Sequence, residues 1–518
     1  MRLLKTILAI AMLLPVTVAA QVQISTDFDS GCAGRIVSCS TSELECFGSD
    51  SASICSIEIM SRADPSNPVD PEVIPSSRWF HLRLEGVRNK MVFLRIPNTE
   101  MRRPFFSYDG ENYIRFESRE NRIPNTVHTL FEQDTVYVAY FIPYTHRQQL
   151  EDIRRWSSHP CVTNEVIGYS SEGREINMLT VTDPSVSNTD KRKVWIHTRV
   201  HTSEAPASWH LKSMVDELLD DSPLSAEIRR RAIFYIVPET NPDGVSGGYS
   251  RSTSTGINLE INWARPDSLT APEVTVLKRT IERLTADRPM DVALNMHSQT
   301  TPQVTYWIHT AETTSPSFFR REMLMSALTA CHSPYYNVGE YSLSRLSPKY
   351  AEGWFWNKFG DKTLALTFET TYSHYHRNPD SEWVTLENLA QLAHSSLLTL
   401  SDLLNLGGSE RMAADAESAK LRGKWHTRND AKLFFGDSYI EAGESKASAV
   451  FRFANAEAGT YDVYKWIPGP QTKAATDSDN SWVHTGSVVQ KRRGRLTWRY
   501  TATEKGEVLD AVLLVRKH

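Results

Sequence analysis

At 518 residues the chain is too long for one ordinary core, and a prior of roughly one domain per 100 to 200 residues predicts about three. Its 57 Lys and Arg against 62 Asp and Glu leave a formal charge of −5. That balance excludes a dedicated nucleic-acid binder and any strong steering toward anionic membranes.

Residues 1–20, MRLLKTILAIAMLLPVTVAA, start with Arg2 and Lys5, continue apolar, and end on the small residues Val18 and Ala20 before Gln21. This order predicts a secretory signal peptide. No Cys follows where a lipid-anchored export signal needs one, and no later apolar run reaches the roughly 18 residues of a membrane helix. The mature chain is therefore expected to be secreted or periplasmic, without a membrane span.

Four of the six cysteines, Cys32, Cys39, Cys46 and Cys55, crowd into a Ser-rich segment with little apolar surface. Disulfides are the expected staple. A four-thiolate zinc knuckle is the rival reading, but no two of these cysteines form the close pair such a site uses. Cys161 and Cys331 are read as a further bridge or as buried thiols.

Residues 21–155 are expected to hold the Cys-rich segment and a β domain. The runs RWFHLRLEGV, KMVFLRI, FFSYDGENYIRF and TVYVAYFIPY alternate or are apolar, with Asp109-Gly110 as a hairpin signal. Residues 156–408 change rhythm. The short apolar strands KVWIHTRV, RAIFYIVPET, DVALNMHS and TLALTFET alternate with helical stretches, among them Leu211, Met214, Val215 and Leu218 at helical spacing and a closing helix in VTLENLAQLAHSSLLTLSDLLNL. Such alternation predicts an α/β domain with a largely parallel sheet, where ligands sit beyond the carboxyl ends of strands. The charged stretch ESAKLRGKW reads as a linker to a C-terminal β-sandwich module over residues 420–518.

The stretch HTRVHTSEAPASW places His201 and Glu204 just after an apolar strand and before a helix. Catalytic zinc takes three protein ligands, usually imidazole and carboxylate, and keeps one position open. The helix-borne H-E-x-x-H pattern is absent, so a third ligand must come from elsewhere. His297, ending DVALNMHS, is that candidate. Glu369, closing TLALTFET, is the candidate general base. Arg251, in the Gly/Ser-rich loop NPDGVSGGYSRSTSTGINL, is the candidate to stabilise charge on a reacting carbonyl. Taken singly each has a plain alternative: a hydrogen-bonded structural His, a helix N-terminal Glu204 with Ser203 as cap, a solvated loop Arg. Their shared position at strand ends and crossover loops of one domain favours a site.

Together RVHTSEAPASW, NPDGVSGGYSRSTSTGINLEINW, NMHS and TFET resemble the zinc metallocarboxypeptidases of the carboxypeptidase A type. The closer likeness is to the cytosolic-carboxypeptidase-like branch, which pairs an N-terminal β domain with the peptidase. The resemblance covers roughly residues 78–405. It implies a mixed eight-stranded sheet with helices on both faces, one Zn2+ per chain held by His201, Glu204 and His297, Glu369 as general base, and Arg251 as the carbonyl-polarising arginine. A peptide or protein substrate follows from the same likeness.

The chain departs from that family where Asp-Leu-Asn-Arg is usual. Here Asn258-Leu259-Glu260-Ile261 stands instead, so the positions that hold a substrate's terminal carboxylate carry an acid and an apolar side chain. Glu260 would repel a carboxylate and attract a cation. Arg265 and Arg199 are the candidate compensating cations, and Tyr341 and Tyr350 both stand where an aromatic hydroxyl near the substrate is expected. Three functions are compatible with these residues: a secreted carboxypeptidase, a zinc amidase acting on a wall peptide or modified side chain without a free α-carboxylate, and a non-catalytic binding protein. In the C-terminal module, Tyr461, Tyr464, Trp466, Trp482 and Trp498 are expected to fill a sandwich core, with polysaccharide or wall contact as the alternative. Lys491, Arg492, Arg493 and Arg495 are expected on a solvated hairpin.

Overall fold

A computed structural model describes residues 22–44, 52–378, 380–431, 433–468 and 482–518; the expected signal peptide and Cys46 lie outside them. Two sheets form the N-terminal β region. One joins Gln23–Ser25, His81–Glu85, Thr135–Ala139, Phe105–Ser107 and Ile114–Arg115, and the other joins Ile36–Leu44, Ala52–Ile59, Lys90–Arg95 and Thr126–Leu130. Alternate residues of both, such as Leu82, Leu84, Val136 and Val138 against Ile57, Val92, Leu94 and Val127, enter one core.

The Cys-rich segment is held by that pairing. Cys32, Cys39, Cys55 and Cys161 form no disulfide, so the expected disulfide staple is not formed among the described residues. Cys32 bridges to His81, whereas Cys39 and Cys55 lie on the other sheet, opposite Ile57 and Thr41 rather than each other. The hairpin at Asp109-Gly110 forms, but around a wider loop than a two-residue turn. Phe105 pairs with Arg115, and the Asp109 carboxylate accepts the backbone N–H groups of Glu111 (2.8 Å) and Asn112 (2.7 Å).

The central sheet has eight strands in the order Val162–Tyr169, Glu175–Val181, Ala232–Val237, Arg192–Thr198, Val292–Gln299, Leu364–Thr371, Thr305–His309 and Ser342–Ser344. The four strands from Ala232–Val237 to Leu364–Thr371 are parallel, and antiparallel pairings flank them. Helices cover both faces because both faces are apolar. Val194 and Ile196 pack with Leu211, Met214 and Leu392 of the helices Ala205–Leu218 and Leu386–Leu404, while Trp195 packs with Leu277, Ile281 and Phe355 of Pro272–Leu284 and Ala351–Phe359 on the other side.

The stretch expected as a linker is structured. Lys420–Arg422 pairs with Ser448–Ala456, Trp425–Arg428 pairs with Tyr439–Ala442, and even Arg411–Asp415 already pairs with the final strand Ala511–Arg516. Its charges sit on exposed strand faces, which is why the composition resembled a linker. In the C-terminal region Tyr461 and Trp466 are buried, and Trp482 and Trp498 are half-buried against the core. Trp466 lies 5.4 Å from Trp482 and 5.3 Å from Phe435, ring to ring. Lys491, Arg492, Arg493 and Arg495 are exposed around the turn between Trp482–Gln490 and Gly494–Thr501.

Candidate functional site

Each candidate side chain is placed by the end of a central strand. Beyond Arg192–Thr198 the backbone turns through Arg199 at a φ of +56°, bringing His201 and Glu204 back over the sheet edge. Arg199 itself is buried and braces this turn, donating to the Tyr144 carbonyl (3.1 Å), the Ser208 hydroxyl (3.2 Å) and the Thr202 carbonyl (2.7 Å). Glu204 is the N-cap residue of Ala205–Leu218, yet its carboxylate makes no capping bond. It turns instead toward His201, His297 and the Ser298 amide, which donates to Oε2 at 3.0 Å.

His297 lies on Val292–Gln299, directly across from Glu369 on the parallel neighbour Leu364–Thr371. Its Nδ1 is 2.8 Å from Glu204 Oε2 and 3.1 Å from His201 Nδ1, and His201 Nδ1 is 3.0 Å from Glu204 Oε1. His201, Glu204 and His297 are at most 2 % exposed. On their outer sides, His201 Nε2 is 3.2 Å from Asn258 Oδ1 and His297 Nε2 is 3.1 Å from Glu260 Oε2. Both Nδ1 atoms thus face the space shared with Glu204, with each Nε2 turned outward.

Two imidazole nitrogens and a carboxylate, all within 4.8 Å of one another, form a donor set that fits a divalent cation of the zinc type. Burial, followed by the Arg251 charge, lowers His201 to about 4. Burial alone would raise Glu204, but His201 and His297 hold it well below its ordinary value.

A cavity of about 210 Å³ opens beside these residues, lined by Arg251, Glu260, Trp307, Tyr350, Glu352 and Glu369 among others. Burial and then the Glu204 charge push Glu369 up to about 7. One of its oxygens accepts from Trp307 Nε1 at 3.3 Å, and the other is buried without a hydrogen-bond partner among the described residues. The Arg251 guanidinium lies 3.3 Å from Glu204 Oε1 and 3.0 Å from His201 Nε2.

The three residues expected to bind substrate separate. Glu260 lines the cavity and faces His297, Asn258 faces His201, and half-buried Ile261, ending the short turn Leu259–Ile261, is not among the cavity's lining residues. Neither expected compensating cation is available. Arg199 is engaged in the turn described above, and Arg265 pairs with Asp70 at 2.9 Å outside the cavity. Tyr350 lines the cavity, whereas Tyr341 packs against the core.

Residues 153–375 match the zinc carboxypeptidase family. Among curated relatives, cytosolic carboxypeptidase 6 of Mus musculus is 27% identical over 192 residues, covering 36% of this chain and 36% of the mouse protein. Cytosolic carboxypeptidase 2 of Xenopus tropicalis is 30% identical over 173 residues, covering 32% of this chain and 18% of that protein. An uncharacterized protein of Zymomonas mobilis is 26% identical over 225 residues, 42% of this chain and 58% of its own length. The chain thus spans less than two thirds of each of these relatives. The metallo-carboxypeptidase of Burkholderia cenocepacia shares the fold at a TM-score of 0.60 and 23% identity, over 73% of this chain and 98% of that one. The matched residues 153–375 span all eight strands of the central sheet, and the matching family is one of zinc carboxypeptidases.

Sequence reasoning missed Trp307 and Glu352. Glu352, in the first turn of Ala351–Phe359, accepts from the Thr367 hydroxyl (2.5 Å) and from Asn295 Nδ2 (3.2 Å), which also reaches both Glu260 oxygens. Neither residue carries a local motif, and each joins the cavity only through strand and helix packing.

Proposed function

We propose that the chain is an exported zinc-dependent peptidase in which His201, Glu204 and His297 hold one zinc ion, Glu369 is the general base and Arg251 stabilises the reacting carbonyl. The observation that carries this reading is the convergence of both Nδ1 atoms on the Glu204 carboxylate, with Glu369 on the adjoining strand. A zinc ion so held supplies a Lewis acid that acidifies water and polarises a carbonyl. Glu369 takes the proton of the attacking water on the oxygen that Trp307 leaves free and returns it to the departing amine nitrogen. The cationic Arg251 lies at the cavity edge, where it meets negative charge developing on the carbonyl oxygen. Export rests on the order of charges and apolar residues in 1–20.

A second reading concerns the substrate. Glu260 and Glu352 present two carboxylates to the cavity, and Arg199 and Arg265 are occupied elsewhere. This favours an amidase-type substrate without a free α-carboxylate, such as a wall peptide or modified side chain. Mass spectrometry of matched peptides with free and amidated carboxyl ends distinguishes the readings. Stepwise loss from free ends only supports a carboxypeptidase; cleavage of amidated peptides supports the amidase; no cleavage of either, with zinc bound, contradicts the peptidase reading.

A further inference from the structure

The loop that carries Arg251 is held by the N-terminal β region rather than by its own domain alone. The buried Asp64 carboxylate accepts three consecutive backbone N–H groups: Ser250 on Oδ1 at 2.7 Å, and Arg251 and Ser252 on Oδ2 at 2.8 and 3.1 Å. Around it, the Trp79 amide donates to the Ser250 hydroxyl (2.9 Å), and Arg62 stacks 4.5 Å over the Tyr249 ring while donating to the Gly248 carbonyl (3.1 Å). Gly248 has a φ of +65°, and a Cβ there would lie 2.7 Å from the Gly31 carbonyl oxygen, so the approach of the two chains needs glycine. The other side of the loop meets the metal-ligand turn: the Ser203 amide donates to the Ser250 carbonyl at 2.9 Å, and the Thr202 hydroxyl to the Tyr249 carbonyl at 2.5 Å.

We propose that Asp64 is a positioning residue for Arg251, supplied by the N-terminal β region, so that this region completes the active site. The inference rests on the role given to Arg251 above. A carboxylate that accepts three successive N–H groups fixes their peptide planes, and with them the start of the Arg251 side chain. Fixing matters because the guanidinium must meet a developing charge at hydrogen-bond distance, and a misplacement near 1 Å costs on the order of 100-fold in rate. Asp64 touches no candidate metal ligand in these bonds, so its loss should spare zinc binding.

The test uses the full mature chain with Asp64→Asn, Arg251→Ala and the double variant. Asp64→Asn should lower kcat roughly 10- to 100-fold on a cleaved peptide, with KM and zinc content near wild type. In the Arg251→Ala background the same change should cost less than about 2-fold, because the two residues act as one unit. Hydrogen exchange of the Ser250, Arg251 and Ser252 amides should accelerate in Asp64→Asn. Asp64→Glu keeps the charge but shifts it by one methylene and should be intermediate in both readouts; it decides alone if Asp64→Asn does not fold. Unchanged exchange, or an equal kcat loss with and without Arg251, overturns the proposal. An Arg251→Ala variant with full activity would overturn the catalytic role of Arg251 instead, leaving the exchange measurement to judge the strut.

Discussion

His297 and Glu369 are direct partners in the register of two parallel strands, so one strand pair carries a candidate metal ligand and the candidate base on the same face of the sheet. Their backbones are fixed to each other by the sheet, which needs no loop to bring them together. Glu369→Gln keeps the shape and the Trp307 contact but cannot take a proton. It should retain bound zinc and lose about 100- to 10,000-fold in kcat. Elemental analysis alongside a peptide assay checks this, and residual activity within a few-fold of wild type would remove Glu369 from the mechanism.

Glu260 stands where the family's carboxylate-binding asparagine is expected, but its oxygen lies 3.1 Å from His297 Nε2. It thus lies beside a candidate ligand as well as lining the cavity. Glu260→Gln should weaken zinc binding by about 10- to 100-fold in chelator competition. An unchanged affinity would return Glu260 to a role in substrate binding alone.

Arg251→Ala should lower kcat by about 100- to 1,000-fold with zinc content unchanged, and Arg251→Lys should recover only part of it because one ammonium replaces a forked donor. A rise in KM alone would mean that Arg251 binds substrate uniformly rather than its charged transition state.

Asp402, near the end of Leu386–Leu404, ties the central domain to the C-terminal strands. It accepts Arg411 Nη2 at 2.8 Å and His332 Nε2 at 2.9 Å, with its side chain fully buried. Burial alone would raise this carboxyl, but the bonds from Arg411 and His332 hold it below its ordinary value. A depressed folded-state pKa gives stability that is complete above the unfolded value of about 3.9 and is lost as pH falls through the lower folded value. Arg411→Met strands the charge and should cost about 3–5 kcal/mol at neutral pH. Urea unfolding at pH 7 and near pH 3.5 checks this: the gap to wild type should shrink in acid, and an equal gap would contradict the assignment.

Much of the central domain was legible because its signals are local. Apolar strands ending in His297 and Glu369, and the short step from His201 to Glu204, announce a strand-end site before any packing is known. The remainder depends on tertiary contact. Asp64 meets Arg251 from a segment far upstream, Trp307 reaches Glu369 across an antiparallel pair, and Glu352 arrives on a helix with no motif. Composition misled where polarity served exposed strands, as in Lys420–Arg422, and where cysteines sat in paired strands instead of disulfides. Arginine count was equally uninformative about availability, since Arg199 is spent on the turn that places His201.

The most direct measurement is zinc per chain, by elemental mass spectrometry, in the wild-type protein and in His297→Ala after dialysis against the same zinc-buffered solution. The account predicts one zinc in the wild type and a large loss in the variant, because His297 supplies one of the three donors, with His201 and Glu204. One zinc retained in His297→Ala, or none in the wild type, would contradict the metal site on which the proposed chemistry depends.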